Sequence, residues 1–183
     1  MATKNTKKQT STKTTTTVQT KQPLEEATQE AKPIYVKEFD LNQYITVKNG
    51  FQGELIYKSK KTGEVFKWDE FGAEQQLELM ELRNAKSSYK KFFEKNWFMF
   101  DEDWVVDYLG VRQFYKHAIK IEDFDNIFSM SPSEIKSTIK NMSDGQKKSV
   151  AYRARVLISE GEIDSNKAIA ALEESLGVEL VEK

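Results

Sequence analysis

His117 is the only histidine of the 183 residues, and there is no cysteine. A histidine-dependent triad would have to pass through His117, yet no serine stands in the Gly-x-Ser-x-Gly setting of a nucleophile elbow, and thiolate chemistry has no residue to use. Two acidic clusters, Asp101-Glu102-Asp103 and Glu122-Asp123-Asp125, have the oxygen ligands that a calcium loop needs. Such a loop alternates its ligands and places glycine sixth. Counted from Asp123, the fifth and sixth positions are Ile127 and Phe128; counted from Asp101, the fifth is Val105. Both clusters therefore read as acids at helix starts, where they complement the helix dipole. The eight glycines form neither G-x-x-x-x-G-K nor G-x-G-x-x-G, so no phosphate-cradling loop is expected. A paired-carboxylate glycosidase lacks any mark of a sugar cleft. The expectation is a protein that is not an enzyme, with no cofactor, no metal and no small-molecule substrate.

Binding is the chemistry that remains. In "YKKFFEKNW" the lysines Lys90, Lys91 and Lys95 alternate with aromatic rings, the composition of a surface that neutralises a polyanion and stacks on its bases. On a helix the same spacing gathers Tyr89, Phe92 and Phe93 on one face and sends the lysines to another, which is ordinary amphipathicity. Lys147, Lys148, Arg153 and Arg155 form a second basic stretch, near the C-terminus. A helix-turn-helix built on it is weakened by the length of its middle helix and by Glu160, Glu162, Glu173 and Glu174 around it.

The third basic stretch is the N-terminal arm. Residues 1–22, with "TKKQTSTKTTTTVQTKQ" at their centre, hold five of the 28 basic residues (among them Lys7, Lys8 and Lys13) and no acid. The remaining chain carries 23 basic residues against 29 acidic, so a basic arm precedes an acidic body. With Met1 and Val18 as its large apolar residues, the arm cannot bury a core by itself and is expected to gain shape on another molecule. No apolar run reaches the roughly 18 residues that span a bilayer, and the N-terminus lacks the apolar stretch of a secretory signal. The expectation is assembly in a cytoplasm, with no membrane contact.

Composition changes at Pro23. Residues 23–33 hold helix formers with Leu24 as their one large anchor, and "IYVKEFDL" reads as extended chain, so residues 1–38 are assigned to arm and linker. Residues 39–68 read as a β-meander. Asn49-Gly50 between two alternating runs predicts a type I′ hairpin, and Gly63 a second, slightly longer turn, giving strands near 43–48, 51–58 and 64–68. Leu55 and Tyr57 then share one face of the middle strand, and Phe66 and Trp68 one face of the third. Residues 69–183 read as helical throughout. Ser131-Pro132-Ser133-Glu134 supplies a capping box and a first-turn proline, Ser143 with Gln146 repeats the cap, and Gly161 and Gly177 stop helices. Capped helices are placed near 132–141, 144–160 and 165–176. The fold class is α+β, mainly helical: a small three-stranded antiparallel meander and a helical body, preceded by an extended arm.

Twelve of the 21 aromatic residues lie between Tyr89 and Phe128. That density suits a core that also presents an aromatic docking patch, since interface centres favour aromatic residues and methionine. Trp97, Phe98 and Trp104 are the candidate anchors, with Lys7, Lys8 and Lys13 as the arm's contacts. The Lys/Thr-rich arm, the absence of cysteine and the ending "LISEGEIDSNKAIAALEESLGVELVEK" resemble small structural proteins of tailed bacteriophages. The resemblance implies a head, neck or tail accessory subunit of a virion, present in several copies, whose partners are other copies or other virion proteins. The alternative is a nucleic-acid-binding or regulatory protein using the arm and the C-terminal helices.

Overall fold

The computed structural model describes residues 39–181; Lys7, Lys8 and Lys13 lie outside them. The protein is α+β, with a three-stranded antiparallel sheet in the order β4-β1-β5 and a helical body. Strand β1 (Tyr44–Asn49) is central and pairs with β4 (Glu74–Glu78) from Tyr44↔Glu78 to Lys48↔Glu74. Its far end pairs with the two-residue β5 (Phe98–Met99). Strands β2 (Leu55–Lys58) and β3 (Val65–Trp68) form a separate hairpin. Its loop turns at Gly63 (φ 77°), a conformation open to glycine without penalty. Alternation along the hairpin buries Leu55, Tyr57 and Trp68 and exposes Ile56, Val65 and Lys67.

The predicted hairpin at Asn49-Gly50 is not formed, because neither residue takes positive φ and β2 does not pair with β1. Asn49 uses its side chain instead. Its Nδ2 donates to the carbonyls of Gly53 and Glu70, each at 2.8 Å, and its Oδ1 accepts from the Phe51 N–H. These bonds fold residues 50–53 into a loop, so the middle run shortens to 55–58. Gly50 meets a steric demand: a Cβ there would lie 2.1 Å from the Asn96 carbonyl oxygen.

A second correction concerns residues 69–78. "EQQLE" has good helix formers but is strand β4, since pairing with β1 buries Leu77 completely and outweighs local propensity. Helix α1 (Leu79–Ser88) starts where the strand ends. The expected helix through Tyr89–Trp97 is a single turn, α2 (Lys91–Glu94). Asn96 ends it with φ 53° and, fully buried, donates its Nδ2 to the Phe114 carbonyl at 3.0 Å. Helices α3 (Asp103–Tyr108) and α4 (Arg112–Tyr115) follow, then a 3₁₀ helix at Ile121–Ser129.

The last three helices are α5 (Pro132–Lys140), α6 (Asp144–Ser159) and α7 (Asn166–Leu176). Ser131 and Glu134 form a reciprocal capping box, and Ser143 and Ser165 accept from Gln146 N and Ala168 N. Gly177, at φ 67°, closes α7.

Two apolar clusters result. The first joins the strands to α1–α4 and is ring-rich, with Tyr57, Trp68, Phe92, Phe93, Phe98 and Phe100 buried. The second gathers Phe124, Ile127, Ile135, Ile139, Val150 and Leu172 from the 3₁₀ helix and α5–α7. Lys95 and Asn96 sit at the seam: Gly145 of α6 packs so closely that a Cβ would lie 1.9 Å from the Lys95 carbonyl oxygen. Ser149 Oγ donates to the Gly50 carbonyl at 3.0 Å, and the Gln146 amide bonds both the N–H and the carbonyl of Ile119.

Candidate docking site

The two acidic clusters singled out in the sequence converge on one lysine. Lys48, on β1 and largely buried, bonds Glu122 and sits 2.9 Å from Asp101 and 3.6 Å from Glu74. The hydrogen bond to Glu122, with Asp101 adding to it, raises Lys48 above the usual lysine value against the opposing pull of burial. The same bond lowers Glu122 below the usual carboxylate range. Asp125 of the second cluster holds Arg153 at 2.7 Å. These carboxylates staple the 3₁₀ helix to the sheet and to α6. Among the described residues no group of histidines and acids is placed to hold a metal ion. His117 is exposed.

The buried polar groups are structural in the same sense. Tyr57 donates to Glu81 at 2.5 Å inside the first core; burial, then this bond, pushes the phenol well above its usual value. Burial also raises Tyr115, whose hydroxyl donates to the Phe98 carbonyl at 2.7 Å.

The candidate anchors separate. Phe98 has no exposed surface and touches Tyr57, Trp68, Phe92 and Phe93 with ring centroids 4.8–5.6 Å apart, so it is corrected to a core residue. Trp104 is half-buried, stacked on Phe39 at 4.7 Å with its indole N–H held by Glu102. Trp97 is half-buried and lines a slot of about 100 Å³ together with Phe51, Lys95, Asp144, Gly145 and Lys148.

That slot brings together the two lysine stretches that lie some fifty residues apart in sequence. The single turn α2 ends at Asn96, which lays Trp97 along the seam, and α6 starts opposite it. Lys95 bridges to Asp144 at 2.7 Å, and Lys91 lies 5.6 Å above the Trp97 ring. Lys60 stands 4.7 Å over Tyr89, and Lys90 5.2 Å over Phe114 while pairing with Glu94. Lys60, Lys91 and Lys148 make no ion pair among the described residues. The result is a shallow apolar floor between Lys95 and Lys148, with Asp144 beside them and Lys91 held over the face of its Trp97 ring. A roomier cleft lies elsewhere, about 610 Å³ between Arg83, Lys86 and Tyr108, but it is open and lined largely by polar side chains. The smaller slot has the more apolar floor.

Phe51, Gly145 and Lys148 were not among the sequence candidates. Their only sequence signal was the lysine pair at 147–148, and no local pattern shows that α6 faces Trp97. No protein-family model, no curated protein and no solved structure matches the chain. Among the described residues no helix is long and apolar enough to cross a membrane.

Proposed function

We propose that this protein is a non-catalytic assembly subunit that docks on its partners through the lysine-rimmed ledge around Trp97, while residues 1–22 take up their contacts on a neighbouring subunit. The observation that carries the reading is the Trp97 slot, an apolar recess beside Lys91, Lys95 and Lys148 with Asp144 among its lining, built from both cores and therefore held in shape. Such a recess suits an anchor side chain surrounded by acids. The likeness of the chain's ends to small structural proteins of tailed bacteriophages favours a virion, in its head, neck or tail, as the assembly. Copy number in particles assembled with a chain lacking residues 1–22 tests the arm: the count falls, whereas an unchanged count removes the arm from the account.

A second reading, nucleic-acid binding, is favoured by the lysines over Tyr89, Trp97 and Phe114. Against it, those ring faces already carry ammonium groups, and base stacking needs open faces. Filter binding at two salt concentrations separates the readings, because each neutralised duplex phosphate adds about 0.9 to the log–log salt slope. A steep slope with the full chain supports nucleic acid.

A further inference from the structure

The ledge has a counterpart on the same molecule. Tyr44, at the first position of β1, is one of the most exposed large apolar residues described, with 66% of its surface accessible. It is paired across the sheet with Glu78. It stands at an open cleft of about 260 Å³ that it lines with Glu64, Glu78, Gln76 and Phe66. Glu64 and Glu78 make no ion pair among the described residues. The two faces thus match in kind: an exposed ring beside carboxylates that make no described ion pair, and an apolar slot beside Lys91 and Lys148, which make none either.

Their placement along β1 gives the match a direction. Tyr44 opens the strand, and Asn49 closes it beside Gly50, whose N–H donates to the Trp97 carbonyl at 2.8 Å. Five residue steps at about 3.3 Å put the two faces roughly 17 Å apart along one strand. Different patches that complement each other make a heterologous contact, which repeats from copy to copy into a ring or a filament.

We infer that the Trp97 ledge receives the Tyr44 face of a second copy, so that this chain assembles head to tail. This rests on the reading of the protein as an assembly subunit and names its partner as the chain itself. Tyr44 seats over the slot that Phe51 and Trp97 floor together, their rings meeting edge-to-face with centroids 6.0 Å apart. Glu64 and Glu78 meet Lys91 and Lys148, and no described carboxylate is displaced from an existing pair. Charge complementarity steers the encounter and excludes the ledge-to-ledge and knob-to-knob pairings, in which like charges would face each other.

Two variants of the full chain test it, each with one face disabled and both changed only at exposed side chains: K91E/K148E for the ledge, and Y44D with E64K for the knob. Light scattering on the wild type gives a mass that rises with concentration past that of a dimer. Each variant alone stays a monomer, with self-association weakened at least tenfold. Their mixture forms a one-to-one dimer and stops there, since it holds one live ledge and one live knob. Circular dichroism confirms that both variants fold. A wild type that is monomeric up to about 1 mM overturns the inference, because contacts weaker than that carry little specificity. So does a mixture that remains monomeric, or variants that assemble like the wild type. A ledge variant that loses binding to an oligonucleotide while keeping its self-association assigns the ledge to nucleic acid and also overturns it. Undiminished incorporation of K91E/K148E into particles removes this interface while leaving the assembly role intact.

Discussion

The two halves of the body are built from different materials. The first core packs rings edge-to-face around Phe98 and Tyr57, across strands that meet from distant parts of the chain. The second packs aliphatic side chains between helices that each start at a serine cap. Capped helices carry their own start signals, so local sequence defines them. Strands paired over thirty residues depend on which partner arrives, and no local pattern names that partner. Where the halves meet, at Lys95–Trp97 against Gly145–Lys148, the Trp97 slot forms from both.

Phe98 sits at the centre of the first core. Phe98→Ala empties the centre of the ring cluster and should cost about 4 kcal/mol. If the halves fold as one unit, urea unfolding followed by near-ultraviolet dichroism (rings of the first core) and far-ultraviolet dichroism (helices of the second) shifts to the same lower midpoint. A far-ultraviolet transition left at the wild-type midpoint would make the halves independent.

Gly145→Ala attacks the seam. The added methyl would meet the Lys95 carbonyl at 1.9 Å, and backbone yields poorly, so a loss of about 3 kcal/mol is expected. Because the slot is built there, iodide quenching of Trp97 should rise in the same variant. Destabilisation below about 1 kcal/mol would show that the seam is loose.

Ser131→Ala removes a cap confined to the second half and should cost about 1 kcal/mol, read as a shift in urea midpoint with unchanged slope. Replacing Glu134 as well should add less than a second full loss, since the two side chains bond reciprocally.

The weakest of these effects is one of pH. Glu122 and Asp144 are held below the ordinary carboxylate range by Lys48 and Lys95, and both link the halves. A depressed carboxylate stabilises the fold above its unfolded value and loses that stability as pH falls through its folded value. Acidification below the ordinary carboxylate range should therefore weaken the wild type, more gently at high salt, and Lys48→Met should flatten that acid limb. An acid limb identical in Lys48→Met would remove the Glu122 bridge from the account.

Legibility in the sequence followed the same division. The serine caps, the Gly177 stop and the Gly63 turn were readable because each is decided within four or five residues. The Asn49-Gly50 signal misled: a fully buried asparagine satisfied the loop from its side chain, and the need at Gly50 came from Asn96, remote in sequence. "EQQLE" has no strong β-formers, and only the β1 register reveals it as a strand. Of the candidate anchors, Trp97 lies at the slot, whereas Phe98, its neighbour in sequence, points into the core. Phe51, Lys148 and Tyr44 became candidates only once the seam and the sheet placed them.

Hydrogen exchange of the full chain at low and high protein concentration tests the proposed docking most directly. Concentration should slow exchange together in segments 89–97 and 144–148 of the ledge and in segments 43–46, 62–66 and 76–78 of the knob, with little change elsewhere. Concentration-dependent protection confined to other surfaces, or protection of the ledge with the knob unchanged, would contradict it.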